Sequence, residues 1–295
     1  MKTGMDLKLR IIFVLLLLVQ SACISRKRVV PIDERPLPVQ SSTRPELLKS
    51  LAEKSKQIQT LQGIINLDAS SGRAEAGVLT EYRQTRGFVL VERPGHVRFK
   101  VQAVLALATV VDMVSDGLQY RVSIPVKNKF AVGDTNARGN EKNAILNLRP
   151  PVILNALFVD ILSYLNNPRM RATLEETREG RRSFYVLSFI DVAAEDAQLL
   201  EKLWIDRTNL QVSRKQMFRT DGKPEMDVEY SYASDGDMKF PQIITIHRPV
   251  EGYTLKMTFQ KVTVNEKLAA DAFELERPAG AELVQLDAED SAGTR

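Results

Sequence analysis

The strongest constraint on this chain is a hydrophobic period of two that recurs from about residue 77 to residue 264. In HVRFKVQAV, Val97, Phe99 and Val101 alternate with Arg98, Lys100 and Gln102; in LQYRVSIPV, Leu118, Tyr120, Val122 and Ile124 alternate with Gln119, Arg121 and Ser123. Alternation sends successive side chains to opposite faces of a pleated strand, so each run reads as a strand with one buried and one wet face. Further runs are GVLTEYRQ, GFVLVER, TVVDMVS, KFAVG, RRSFYVLSFI, KLWIDR, LQVSRKQMF, EMDVEYSY, QIITIHR and YTLKMTFQKVTV. The signals ERPG, SDG, TDG and ASDGDM punctuate them, and SDG at Ser115 to Gly117 has the form of a tight hairpin. The expected fold class is mainly β (α+β), a long antiparallel sheet.

Two segments carry a helical period instead. Thr43 and Glu46 have capping-box spacing, Pro45 suits a first turn, and Leu47, Leu48, Leu51, Ile58 and Leu61 share a stripe. This predicts a helix from Pro45 to Gln62, stopped by Gly63. RPPVILNALFVDILSYLNNP, Arg149 to Pro168, opens on prolines and places Ile153, Leu154, Leu157, Phe158, Ile161, Leu162 and Leu165 at helical spacing. A helix interrupting a long antiparallel sheet packs most simply on its concave side. It either plugs a core or lids a cavity open to an apolar ligand, since a core stripe and a pocket stripe look alike.

The N-terminus has the layout of a targeting segment: Lys2, Lys8 and Arg10, then nine apolar residues from Ile11 to Val19, then Ser21 and Ala22 before Cys23. A bilayer-spanning helix needs about 20 apolar residues, and Gln20 ends this run. A short anchor or a buried first helix is the alternative reading. Cys23 is the chain's single cysteine, so no intrachain disulfide exists. From Ser25 to Arg44 come Pro31, Pro36, Pro38 and several charges without apolar period, the composition of a tether.

Charge and catalytic groups exclude more than they suggest. The net +4 includes +2 from the first 22 residues, which leaves little basis for expecting nucleic acid as a partner. His96 and His247 each stand alone, without HExxH or a second histidine at metal spacing. Nor is there a GxSxG, a Walker-type loop or a dinucleotide fingerprint. Glu175 with Glu176 and Asp235 with Asp237 sit beside turns, where carboxylates solvate hairpins. No catalytic residue, metal or cofactor is therefore expected, and the chain reads as a non-enzyme.

Ser21, Ala22 and Cys23 resemble the end of the lipobox of bacterial lipoprotein precursors, with Gln20 in place of the usual leucine or valine. The resemblance implies cleavage before Cys23, attachment of acyl chains to it, and membrane lipid as a partner through them. Ile24, where retention in the inner membrane would call for aspartate, points to the outer membrane. The order of helix, strands, apolar helix and strands resembles the LolA/LolB lipoprotein-sorting family. KLWIDRTNLQVSRKQMFRTDGKPEMDVEY is similar to that family's strand and turn unit, and LAADAFELERPAGAEL to its closing stretch through Phe273, Pro278 and Gly280. What it implies is a half-open β-barrel with an N-terminal helix and the inserted apolar helix as lid, holding lipid or lipoprotein acyl chains. Candidate walls are Phe99, Val101, Tyr120, Val122, Met257 and Phe259, with Leu157, Phe158 and Ile161 from the helix. VLALA stands where the family's anchored receptor carries an apolar loop, making Leu105 and Leu107 candidates for contact with a membrane; a continuous strand is the other reading.

The domain plan is a signal peptide at 1–22, a lipidated N-terminus and tether at 23–44, the half-barrel at 45–286 and a polar tail at 287–295. The expected function is lipid or lipoprotein handling in the bacterial envelope and delivery to the outer membrane, with a periplasmic carrier or another envelope protein as partner. Alternatives are an assembly lipoprotein that binds a protein, and an envelope hydrolase. Growth with radioactive palmitate should label the parent chain and not Cys23→Ser; equal labelling would sink the lipoprotein reading.

Overall fold

A computed structural model of the chain describes residues 37–72, 80–103, 108–135, 149–193, 196–233 and 240–286. Cys23, Leu105, Leu107 and the tail 287–295 lie outside the described residues.

Helix α1, Arg44–Gln57, starts as its cap predicts. The Thr43 hydroxyl donates to Glu46 Oε2 at 2.9 Å, the Thr43 N–H donates to the same oxygen at 2.8 Å, and Pro45 sits in the first turn. Leu47 and Leu51 face the core. The helix stops at Gln57, five residues short of the expected end, because Ile58 is already extended and β1, Thr60–Ser71, follows. Gly63 is therefore no helix stop. It lies inside β1, where a Cβ would come within 2.8 Å of the Phe259 ring, so its lack of a side chain permits a close approach.

β1 is paired on both sides, with β2, Thr80–Glu92, and with β13, Tyr253–Val264. One meander runs on from β2 through β3, His96–Ala103, β4, Thr109–Asp116, β5, Gln119–Ile124, and β6, Lys129–Asp134. Its β4–β5 turn is the expected SDG hairpin, where Asp116 Oδ1 accepts the N–H groups of Leu118 and Gln119 at 2.9 and 2.8 Å. A second meander comprises β7, Met170–Glu179, β8, Arg182–Ala193, β9, Asp196–Asp206, β10, Gln211–Phe218, β11, Pro224–Ser231, and β12, Ile243–Arg248, ending in β13. Among the described residues one sheet results, in the order β14-β6-β5-β4-β3-β2-β1-β13-β12-β11-β10-β9-β8-β7. β1, β7 and β14, Glu282–Gln285, do not appear among the runs identified by alternation, and β14 lies parallel to β6 in a sheet that is otherwise antiparallel.

The sheet is curved because its inner face feeds one core. Fourteen strands at about 4.8 Å would span more than 60 Å if flat, whereas the eight-residue helix between the meanders is only about 12 Å long. Yet Leu61, Val89, Phe99, Met113, Tyr120, Leu187, Leu203, Val228, Ile246 and Met257, spread over β1 to β13, share a cluster with Leu47 and Leu51 of α1 and with Ile153 and Leu157. Register shifts in β1–β13, β1–β2, β3–β4, β8–β9, β9–β10 and β10–β11 supply local bends of the kind that tighten such a curl.

The apolar segment forms two short helices instead of one, α2, Pro150–Leu157, and α3, Leu162–Leu165, with Phe158 extended between them. On the convex face the segment after β13 crosses β1, β2 and β3 before reaching β14 beside β6. Thr60 donates to the Glu266 carbonyl at 2.7 Å, Arg98 to the Ala272 carbonyl at 3.1 Å, and Asn128 to the Gly280 carbonyl at 3.0 Å. Ahead of α1, Leu37 N–H donates to the Arg181 carbonyl at 3.2 Å and Gln40 N–H to the Arg207 carbonyl at 2.7 Å.

Gly95, between β2 and β3, abuts Gly117, between β4 and β5; a Cβ at 95 would stand 2.7 Å from the Gly117 Cα. Backbone cannot swing aside as a side chain tip can. Gly95→Ala should lower unfolding free energy by about 1–3 kcal/mol in urea titrations. A loss under roughly 0.5 kcal/mol would mean that the two turns part freely.

Candidate functional site

Where the concave core ends, α1, the break between α2 and α3, and the ends of β10, β11 and β13 leave a cleft of about 690 Å³. Its walls are Leu51 and Ile58 of α1 and its exit, Leu157, Phe158 and Val159 at the helix break, and Val212, Tyr230, Phe240 and Val262 from the sheet side. Lys54, Ser55, Gln57, Gln211 and Asn265 supply the polar part of the lining, and no carboxylate lines it among the described residues. The size and make-up are those of a site for an apolar ligand oriented by a few polar groups.

Two polar clusters set the helix break that shapes this cleft. The first is buried: Lys215 Nζ stands 3.4 Å from Glu201 Oε2, with the two side chains 2% and 1% exposed. Lys215 also donates to the carbonyls of Asn155 and Phe158 at 3.1 and 3.3 Å, so its charge occupies the negative end of α2. Tyr164 of α3 donates to Glu201 Oε2 at 3.2 Å, and its ring packs on Phe189 with centroids 4.8 Å apart. Burial pushes the Glu201 carboxyl above its ordinary 4.5, against the opposing pull of Lys215 and Tyr164. Glu201 Oε1 and the Tyr230 hydroxyl, both buried, have no hydrogen-bond partner among the described residues.

The second cluster centres on Asp160, between the two helices. Its Oδ1 accepts from Ser55 Oγ and from the Leu162 N–H, both at 3.0 Å, and its Oδ2 pairs with Arg93. Arg93 also donates to the Ser55 carbonyl and lies over the Phe158 ring, 5.4 Å from its centroid. Asp160 thus binds α1, the β2–β3 turn and the start of α3 together. A continuous helix through Phe158 would pull it out of this position.

All nine candidate wall residues stand on the concave side. Phe99, Val101, Tyr120, Val122, Leu157, Ile161, Met257 and Phe259 are buried members of the shared core, and Phe158 packs against it partly buried. Leu157 and Phe158 also line the cleft. Strand parity groups side chains by face and does not say which part of a face stays open. The remaining cleft walls were missed, as were Arg93, Asp160, Glu201 and Lys215. One signal was available for the buried pair: Glu201 falls on the apolar parity of Leu203 and Ile205, and Lys215 on that of Met217. A second hollow, of about 540 Å³, lies on the convex face under the segment after β13, between Ile64, Phe88, Leu90, Leu268 and the cations Arg98, Lys100 and Lys261. Among the described residues no group of histidine, cysteine and carboxylate side chains could hold a metal ion.

No family model matches the chain, and no curated protein matches it. Solved structures do. A DUF1329 family protein from Desulfovibrio piger superposes with TM-score 0.52 at 13% identity, over 77% of this chain and 94% of that one. A domain assigned to outer membrane lipoprotein sorting, from Vibrio parahaemolyticus, gives 0.50 at 9% identity over 78% and 95%. A LolA superfamily protein from Nitrosomonas europaea gives 0.48 at 10% over 80% and 99%. The first two show that the large curved sheet with few helices is an architecture shared with such proteins, and at these identities the likeness is one of fold alone.

Lys215→Met should destabilise the protein by about 3–5 kcal/mol near pH 8, because it strands a buried carboxylate. A carboxyl raised in the fold holds its proton more readily there than in the unfolded chain. Its contribution is complete below about pH 4.5 and is lost as pH rises through the folded value. Urea midpoints should therefore show a smaller loss at pH 5 than at pH 8, and equal losses at both would mean that the Glu201 charge is not the cause.

Proposed function

We propose that this chain is a lipoprotein of the bacterial envelope, anchored through acyl groups on Cys23, that holds lipid or lipoprotein acyl chains in the concave cleft and assists their delivery to the outer membrane. The observation that carries this reading is the cleft of about 690 Å³, walled by Leu157, Phe158, Val212 and Phe240 under helices that interrupt the sheet. Removing apolar acyl surface from water is favourable by roughly 25 cal/mol per Å², and such a walled cleft provides that burial without any bond being made or broken. The architecture shared with the Vibrio domain assigned to lipoprotein sorting supports the same reading. α2 and α3 would then act as a lid, with the Lys215 and Asp160 clusters holding it in place. The reading requires no catalytic group, and a periplasmic carrier or another envelope protein would exchange cargo with the cleft.

A second reading rests on one specific observation. Phe99, Tyr120, Met257 and Phe259 fill the centre of the concave side themselves, at 0–1% exposure. A sheet so filled suits a protein that binds another protein in envelope assembly.

The two readings separate on acyl uptake. The full chain should take up a fluorescent acyl probe and co-purify with lipid in native mass spectrometry, and Leu157→Glu should reduce uptake at least tenfold with an unchanged circular dichroism spectrum. A clean lipid-free mass with no probe uptake would favour the assembly reading. Unfolding of Leu157→Glu would define that residue as core, in which case Phe158→Glu, at a partly buried position, carries the test.

A further inference from the structure

Several polar groups of the cleft lining have partners. Ser55 Oγ donates to Asp160, the Tyr232 hydroxyl to the Val212 carbonyl at 3.1 Å, and Asn265 uses both ends of its amide, accepting from the Gln59 N–H at 2.8 Å and donating to the Gln57 carbonyl at 2.6 Å. Gln211 Oε1 accepts from Asn209 at 3.3 Å. Two other groups of the lining can each still donate. The Tyr230 hydroxyl is buried with no hydrogen-bond partner among the described residues. Lys54 reaches the Leu210 carbonyl at 3.3 Å with one of its three donors and meets no carboxylate among the described residues.

Lys54 stands on the last turn of α1 and belongs to an exposed residue position, yet its surroundings withdraw enough water to lower its pKa. An ammonium losing hydration beside an apolar cleft, with no counter-charge, is an incomplete arrangement that an anion at the mouth would complete. The apolar walls below would take a hydrocarbon chain, and the absence of carboxylates from the described lining removes the repulsion such an anion would otherwise meet.

We infer that the cleft selects acyl amphiphiles with an anionic head group, the chain lying against Leu157, Phe158, Val212 and Phe240 and the head group meeting Lys54 at the rim. This rests on the acyl-binding reading and specifies the chemistry of its ligand. Oleate and oleyl alcohol share a chain and differ in head-group charge, so competition of each against a fluorescent acyl probe on the full chain isolates the head-group contribution. Oleate should displace the probe at a concentration about tenfold lower than oleyl alcohol, a factor in keeping with one charge-assisted hydrogen bond. Lys54→Arg should keep that preference, and Lys54→Met should bring the displacing concentrations of oleate and oleyl alcohol together. Equal displacement by the two ligands in the parent chain, or a preference that survives Lys54→Met, would overturn this inference and leave acyl binding standing. Absence of probe uptake in the parent chain would instead overturn the acyl-binding reading itself.

Discussion

The structure depends on the pairing of β1 with β13. Each of the two meanders is built from neighbours in sequence, β1 to β6 on one side and β7 to β13 on the other, and within the described sheet only this ladder joins them. It runs from Leu61 opposite Val264 to Ser71 opposite Tyr253, residues about two hundred apart. Closing so long a loop is entropically unfavourable before any contact repays it, so the ladder must be secured by what it brings together: the inner faces of both meanders. Gly63 is one condition of that closure, since the Phe259 ring occupies the space a side chain would need. With the ladder in place, the concave core becomes continuous, and α1 and α2 have a surface to cover.

The strands were legible wherever one face is wet and the other buried, as in β3, where Val97, Phe99 and Val101 alternate with charged and amide groups. β1 was not, because Leu61 stands three residues after Ile58 and so satisfies a helical stripe as well as a strand. β7 exposes most of its residues at the sheet edge, which leaves its apolar alternation weak. The break between α2 and α3 had no local signal. It follows from Lys215, 57 positions away, donating to the Phe158 carbonyl and Arg93, 67 positions away, pairing with Asp160. For the same reason the cleft could not be read in advance. Its location is a remainder, the part of the concave side that neither helix reaches, and a remainder is set by tertiary packing and not by any one run of sequence.

The concave side is therefore of two kinds. Near β3, β5 and β13 it is filled by the buried side chains of Phe99, Tyr120 and Met257. Toward α1 and the helix break it holds a buried ion pair, two unpartnered polar atoms and open volume. Interactions of the second kind are strong while complete and lost abruptly when one member moves, unlike apolar contacts, which weaken gradually. A structure that keeps its rigid part and its reorganisable part on one continuous face can change the second without loosening the first.

The hydrogen bonds of Leu37 and Gln40 to the β7–β8 and β9–β10 turns have a mechanical meaning. The second of these turns leads directly into Gln211 and Val212, which line the cleft. Leu37 and Gln40 are thus fastened to the body beside the opening, as a hinge pin is set beside a hatch. Load carried by Leu37 and Gln40 passes into these two turns before it reaches the far rim of the sheet, and the second turn stands within a few residues of the opening.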